Sequence, residues 1–237
     1  MNDKLDIEEI KDKIHAKLVP SGWGRVLRSF IYSKDFENII LTLIKQTKDG
    51  KRFTPPLKNW FRAFEECPYE DLKVVIVGQD PYPGFGQADG IAFSLSQSDD
   101  LQPSLKYMFN AINKTMYNGS NICQDKDLKR WSNQGVLLLN SALTTVIGKP
   151  GQHNIVWRPF MAYLFDYLTW NNNGLVYIYL GKQAQQWIDS VNDNNYKFSA
   201  THPAHASYQA LEEWNSNDVF KLTAEILQKN YNFKIEW

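Results

Sequence analysis

Apolar positions at the start of the chain recur at helical spacing. Ile7, Ile10, Ile14 and Leu18 fall at i, i+3, i+7 and i+11, one stripe of an amphipathic helix. Pro20-Ser21-Gly22 ends it. Arg25 to Lys45 holds a second helical stretch, with Phe36, Ile39, Ile40 and Leu43 on one side. The run "KRFTPP" (51–56) is a loop, because two adjacent prolines cannot continue a helix. Leu57 to Phe64 reads as a short helix with Trp60 and Phe64 on its face.

After that the rhythm changes. Four short apolar runs appear: "KVVIV" (73–77), "GVLLLN" (135–140), "GLVYIYLG" (174–181) and "YKFSATHP" (196–203). Helical patterns lie between and after them, over about 104–115, 125–133, 157–170, 182–190 and 216–229. Strands alternating with helices predict an α/β fold, a parallel sheet with helices on both faces. No repeat, low-complexity tract or linker interrupts the pattern. The expectation is a single domain over 1–237, with residues 1–20 as an N-terminal helical extension.

The polar residues that break these runs sit in equivalent places. Gly78-Gln79-Asp80 ends the first strand, Asn140 the second, Gly181-Lys182 the third and His202-Pro203 the fourth. In open parallel sheets, ligands bind outside the carboxyl ends of the strands, so these residues should converge on one site.

Each has a plainer reading on its own. Asp before Pro is a common turn starter, so Asp80 could be a turn residue. Asn140 could close a strand, and His202 could be a satisfied core histidine. His202 and His205 form H-x-x-H, but only His15 and His153 remain and no acidic motif accompanies them, which argues against zinc. Gly84-Phe85-Gly86 lacks the full G-x-G-x-x-G of a dinucleotide loop, and a strand-like segment follows.

Composition narrows the class. Lys and Arg number 26, as do Asp and Glu, so the net charge is zero and bulk charge cannot grip an anion. Two scattered cysteines, Cys67 and Cys123, make no disulfide framework and fit a reducing compartment. The N-terminus is charged, unlike a signal peptide. No apolar run approaches the ~20 residues of a membrane helix. The expectation is a soluble protein without a membrane partner, located in the cytoplasm, or the host cytoplasm if its source is viral.

Taken together, "VVIVGQDPYPGFGQADGIAFS" (74–94), "QPSL" (102–105), "GVLLLNSALT" (135–144), "LVYIYLGKQAQ" (175–185) and "HPAHAS" (202–207) resemble the ordered motifs of family-1 uracil-DNA glycosylases. The resemblance spans roughly residues 20 to 237. It implies a central four-stranded parallel sheet in a three-layer α/β/α fold. It implies hydrolysis of the N-glycosidic bond of uracil in DNA, without a metal or organic cofactor. The partners it implies are uracil-containing DNA, single- or double-stranded, and a proteinaceous uracil-DNA glycosylase inhibitor. The protein is expected to be a monomer.

By the same resemblance, Asp80 stabilises the cationic sugar and activates water, and His202 donates to uracil O2. Phe93 stacks on the flipped ring, Asn140 reads the O4 and N3-H edge, and Tyr82 excludes the thymine methyl. The Gln79 backbone meets the pyrimidine. Ser104, Gly181, Lys182 and Ser207 match positions that touch DNA phosphates. Two rival readings are a DNA-binding replication-accessory module that kept the fold, and a glycosylase of altered base specificity.

Several positions depart from the family pattern. Pro83 stands where His is common, Ala204 replaces a phosphate-binding Ser, and Leu180 replaces a common Trp. Ala206 falls where an apolar Leu wedge enters the base stack. With so small a wedge, single-stranded uracil should be preferred, unless His205 or Tyr208 substitutes.

Overall fold

The run Val74–Val77 is completely buried, which is why it shows no alternation: a strand covered on both faces needs apolar residues at every position. It sits inside the central sheet. The computed structural model describes residues 3–96 and 101–237, so Met1 and Asn2 of the expected extension lie outside the described residues.

In chain order, helices α1 (Asp3–Leu18), α2 (Trp23–Ile31) and α3 (Lys34–Lys48) precede the short strand β1 (Phe53–Thr54). Helix α4 (Arg62–Glu66) leads to β2 (Val74–Gly78). After α5 (Pro103–Met116) and α6 (Lys129–Ser132) come β3 (Val136–Asn140) and the short β4 (Thr145–Val146). Then follow α7 (Asn154–Asn171), β5 (Val176–Leu180), α8 (Lys182–Gln185), β6 (Tyr196–Ala200), α9 (Pro203–Tyr208) and α10 (Val219–Tyr231).

The four-stranded sheet is parallel throughout, in the order β3-β2-β5-β6. Its register sets Gly78 opposite Asn140. The chain leaving β2 returns as β3 on one side, and the chain leaving β5 returns as β6 on the other. The tips of β2 and β5 therefore flank a topological switch point, where such sheets bind ligands. Helices flank the sheet. Helices α1, α2, α3 and α7 pack together, as do α5, α9 and α10. One aromatic cluster joins Phe30, Phe61, Phe64 and Trp157 around Phe160. A second joins Trp131, Phe220 and Trp237.

Some boundaries differ from the sequence expectation. The stretch 25–45 divides at Tyr32-Ser33, where the Ser33 hydroxyl accepts the Phe36 N–H at 3.2 Å and caps a new helix. The short helix expected from Leu57 becomes a 3-10 turn (Leu57–Asn59) followed by α4. The antiparallel pair β1–β4, with Thr54 opposite Thr145, was not anticipated. Two-residue strands are too short to leave a periodic signal. Ile7, Ile14 and Leu18 of α1 are buried, as their spacing predicts.

Candidate functional site

The tip of β2 is pinned to the tip of β3. The Ser141 N–H and hydroxyl both donate to the Gly78 carbonyl, at 3.1 and 2.9 Å, and the Ala142 N–H donates to the Gln79 carbonyl at 3.1 Å. The next residue is Asp80. Its carboxylate accepts the backbone N–H of Gly151, with the Thr145 side chain alongside. Burial raises the Asp80 pKa above the ordinary carboxylate value, and Gly151 and Thr145 pull part of the way back. They belong to β4 and the loop after it, so the segment that pairs with β1 holds the carboxylate.

Glycine at 78 is a steric requirement. A Cβ there would lie 2.7 Å from the Asn140 side-chain oxygen and 3.0 Å from Phe93 Cζ. Without it, carboxamide and ring converge over the strand tip. Phe93 has φ 67, in the left-handed region, which is unusual for a bulky residue and a mark of functional constraint. Neighbouring bonds hold it there. The Ala92 N–H donates to Leu138 O at 3.1 Å, and the Tyr82 hydroxyl donates to the Phe93 carbonyl at 3.2 Å. Burial also pushes the Tyr82 pKa up, so it stays a neutral phenol.

From the far side comes His202, the N-cap of α9. Its Nδ1 accepts the Ala204 N–H at 3.2 Å, and burial lowers its pKa to about 4. A neutral imidazole that accepts at Nδ1 carries its proton on Nε2, so the ring offers a donor without a charge. The His202 and Phe93 ring centroids are 5.7 Å apart. Gly181, at φ 93, lets His202 approach: a Cβ on it would lie 2.8 Å from the histidine Cβ.

These groups line one cavity of about 730 Å³, within the range of small-molecule sites. Gln79, Asp80, Tyr82, Phe93, Asn140 and His202 all face it, as do Ser104, Gly181 and Lys182. Four strand ends thus meet in one place. Ser104 is buried beside Tyr82, so it also braces the pocket wall.

The structure corrects one placement. Ala206 is only 1 % exposed and belongs to the hydrophobic core, so its methyl cannot enter a base stack. The helical turn of α9 points it inward. Ser207 is half-buried and does not line the cavity. Tyr208, 83 % exposed, and His205 line it instead.

Sequence reading overlooked Asp89. Its carboxylate is fully buried, lies 2.9 Å from Arg62 and accepts from Ile91 N–H, Ser94 Oγ and both N–H and Oγ of Ser96. Burial pushes this carboxyl up, but the Ser96, Ile91 and Ser94 donors and Arg62 outweigh it, and it ends below the usual range. Asp89 thereby buckles the loop that carries Phe93. The signal available was an acid beside Gly90, inside a segment otherwise apolar. Thr145 and Gly151 were also missed, since neither type at those positions announces a carboxylate.

A family model described as the uracil DNA glycosylase superfamily matches residues 64–228. A uracil-DNA glycosylase of Acinetobacter baumannii (strain SDF) is 34% identical over 232 residues, 97% of this chain and 97% of the relative. One from Buchnera aphidicola subsp. Acyrthosiphon pisum (strain Tuc7) is 36% identical over 217 residues, 91% of this chain and 97% of its own. The crystal structure of mimivirus uracil-DNA glycosylase superposes with a TM-score of 0.82 at 27% identity, covering 92% of this chain and 86% of that one. A mimivirus UNG variant in complex with UGI superposes at 0.79 with 26% identity, covering 90% and 85%.

Proposed function

The chain belongs to the uracil-DNA glycosylase superfamily, and on that premise we propose how its cavity excises uracil from DNA. The observation that carries this reading is the meeting of Asp80, Asn140 and neutral His202 in one cavity walled by Phe93 and Tyr82.

A uracil nucleotide leaves the base stack, at a cost of a few kcal/mol, and its base enters the cavity. Phe93 stacks on the ring. The Asn140 carboxamide supplies both a donor and an acceptor to the O4 and N3-H edge, and cytosine, with the opposite pattern, leaves it unpaired. The Tyr82 ring occupies the space a thymine methyl needs.

As the C1′–N1 bond lengthens, the sugar gains oxocarbenium character and the base leaves with the bonding electrons. The His202 Nε2–H donates to uracil O2 and stabilises that anion. Asp80 lies beside the sugar, where its charge balances the cation. It also orients a water, whose oxygen bonds to C1′ while its proton passes to the carboxylate. The products are free uracil and an abasic site. Burial helps by lowering the local dielectric, so both charge contacts strengthen.

Lys182, Gly181, Ser104 and Ser207 contact phosphates without reading sequence. Tyr208, exposed at the cavity rim, takes the wedge role that the buried Ala206 cannot. UGI, which binds the mimivirus relative, is a proposed partner of this chain as well. The protein acts as a monomer in the cytoplasm, a reducing compartment that suits two free buried cysteines. The test is uracil release from single- and double-stranded oligonucleotides in EDTA. Release of free uracil is expected; none from either substrate overturns the reading.

A further inference from the structure

Phe85 is 75 % exposed at the tip of the loop after Asp80, between Gly84 and Gly86. Leaving a phenyl in water forgoes the roughly 1.5–3 kcal/mol that burial would contribute, so folding does not explain it there. The Arg52 guanidinium lies over its ring, 4.9 Å from the centroid. Arg52 is itself exposed and directly precedes β1. The two segments are clamped together beside Asp80. The Ile147 N–H donates to Arg52 O, and the Gly148 N–H donates to Pro83 O, each at 2.9 Å. Pro83 lines the catalytic cavity, and Gly151, just after this segment, donates its N–H to Asp80.

We propose that Phe85 and Arg52 form a second nucleotide subsite, which stacks an unpaired base next to the uracil and holds its phosphate. This rests on the uracil-excision reading and extends its substrate to flanking nucleotides. One ring face carries Arg52, and the high exposure leaves the other to solvent. A single planar ring with an adjacent cation suits a base and its phosphate, the pairing by which proteins hold single-stranded DNA. It is too small for a protein interface, which buries hundreds of Å² per partner. A base inside a duplex has both faces covered, so the subsite serves single strands.

The test uses Phe85→Ala, Phe85→Trp and Arg52→Ala in the full chain. Phe85→Ala is expected to raise KM about tenfold for a single-stranded oligonucleotide with one uracil, and less for its duplex, with kcat little changed. Phe85→Trp restores KM, and Arg52→Ala flattens its salt dependence. In a second arm, a fluorescent adenine analogue flanks the uracil and the proteins carry Asp80→Asn. Stacking quenches it, and Phe85→Ala removes the quench. This arm needs no turnover, so it decides the subsite even if the wild type releases no uracil, an outcome that would overturn only the activity. Unchanged KM with quenching retained overturns the subsite. So does an equal KM rise on both substrates that Trp does not repair, which assigns Phe85 to the loop's fold.

Discussion

The backbone N–H of Gly151 donates to the Asp80 carboxylate across a separation of 71 residues. With the Thr145 side chain, it offsets part of the burial that raises the Asp80 pKa. Asp80→Asn removes the charge and keeps the shape. Single-turnover uracil release is expected to fall about 10²–10⁴-fold while uracil-DNA binding survives. Near-wild-type release would take Asp80 out of the mechanism.

The same raised pKa carries a sign for stability. The folded state disfavours the charged form, so ionised Asp80 opposes folding above its folded pKa, and this effect fades as pH falls through it. Asp80→Asn is therefore expected to raise the denaturation midpoint at neutral pH and to lose that advantage in acid. A midpoint lowered at neutral pH would mean that the Gly151 bond and the nearby Thr145 outweigh burial.

On the proposed reading, base selection divides between two walls. Tyr82→Ala is expected to admit thymine, and Asn140→Asp to begin to admit cytosine at lower overall activity. Product analysis on oligonucleotides carrying each base measures both. Thymine release still undetectable with Tyr82→Ala would show that another group excludes the methyl.

The wedge assignment separates two residues of one helix. Tyr208→Ala is expected to reduce duplex cleavage about tenfold and single-strand cleavage less, because a single strand has less stacking to disrupt. Ala206→Leu forces extra methylenes into a filled core and costs roughly 1–3 kcal/mol of stability, with no gain on duplex. A duplex gain with Ala206→Leu and no loss with Tyr208→Ala would reverse the assignment.

A buried histidine and a half-buried one predict acid lability. His202 and His153 are both pushed from 6.5 down to about 4, chiefly by burial. Protonation thus favours the unfolded chain. Their contribution is full above about pH 6.5 and is lost as pH falls toward about 4, by up to ~1.4 kcal/mol per pH unit for each. His153→Gln is expected to flatten the stability–pH slope in that window, measured by urea denaturation. A slope unchanged by the substitution would place the proton uptake elsewhere.

The chain alone determined the sheet and which strand-end residues meet at the cavity. Runs such as Val74–Val77 and Val136–Leu139 are legible because a strand buried on both faces must be apolar throughout. Asp80, Asn140 and His202 are legible because they end those runs, and parallel topology sends all strand ends the same way. Tertiary structure decided what local pattern cannot carry. Ala206 and Tyr208 stand two residues apart on α9, yet one is buried and the other exposed, since facing depends on how α9 packs on α5. The Asp80 donor Gly151 follows β4, which pairs over only two residues with a strand far earlier in the chain. Asp89 could be read as a surface acid until Arg62 and three hydrogen-bonding residues closed around it. Each of these depends on contacts between residues far apart in the chain, and side-chain periodicity records only which way a residue faces within its own element.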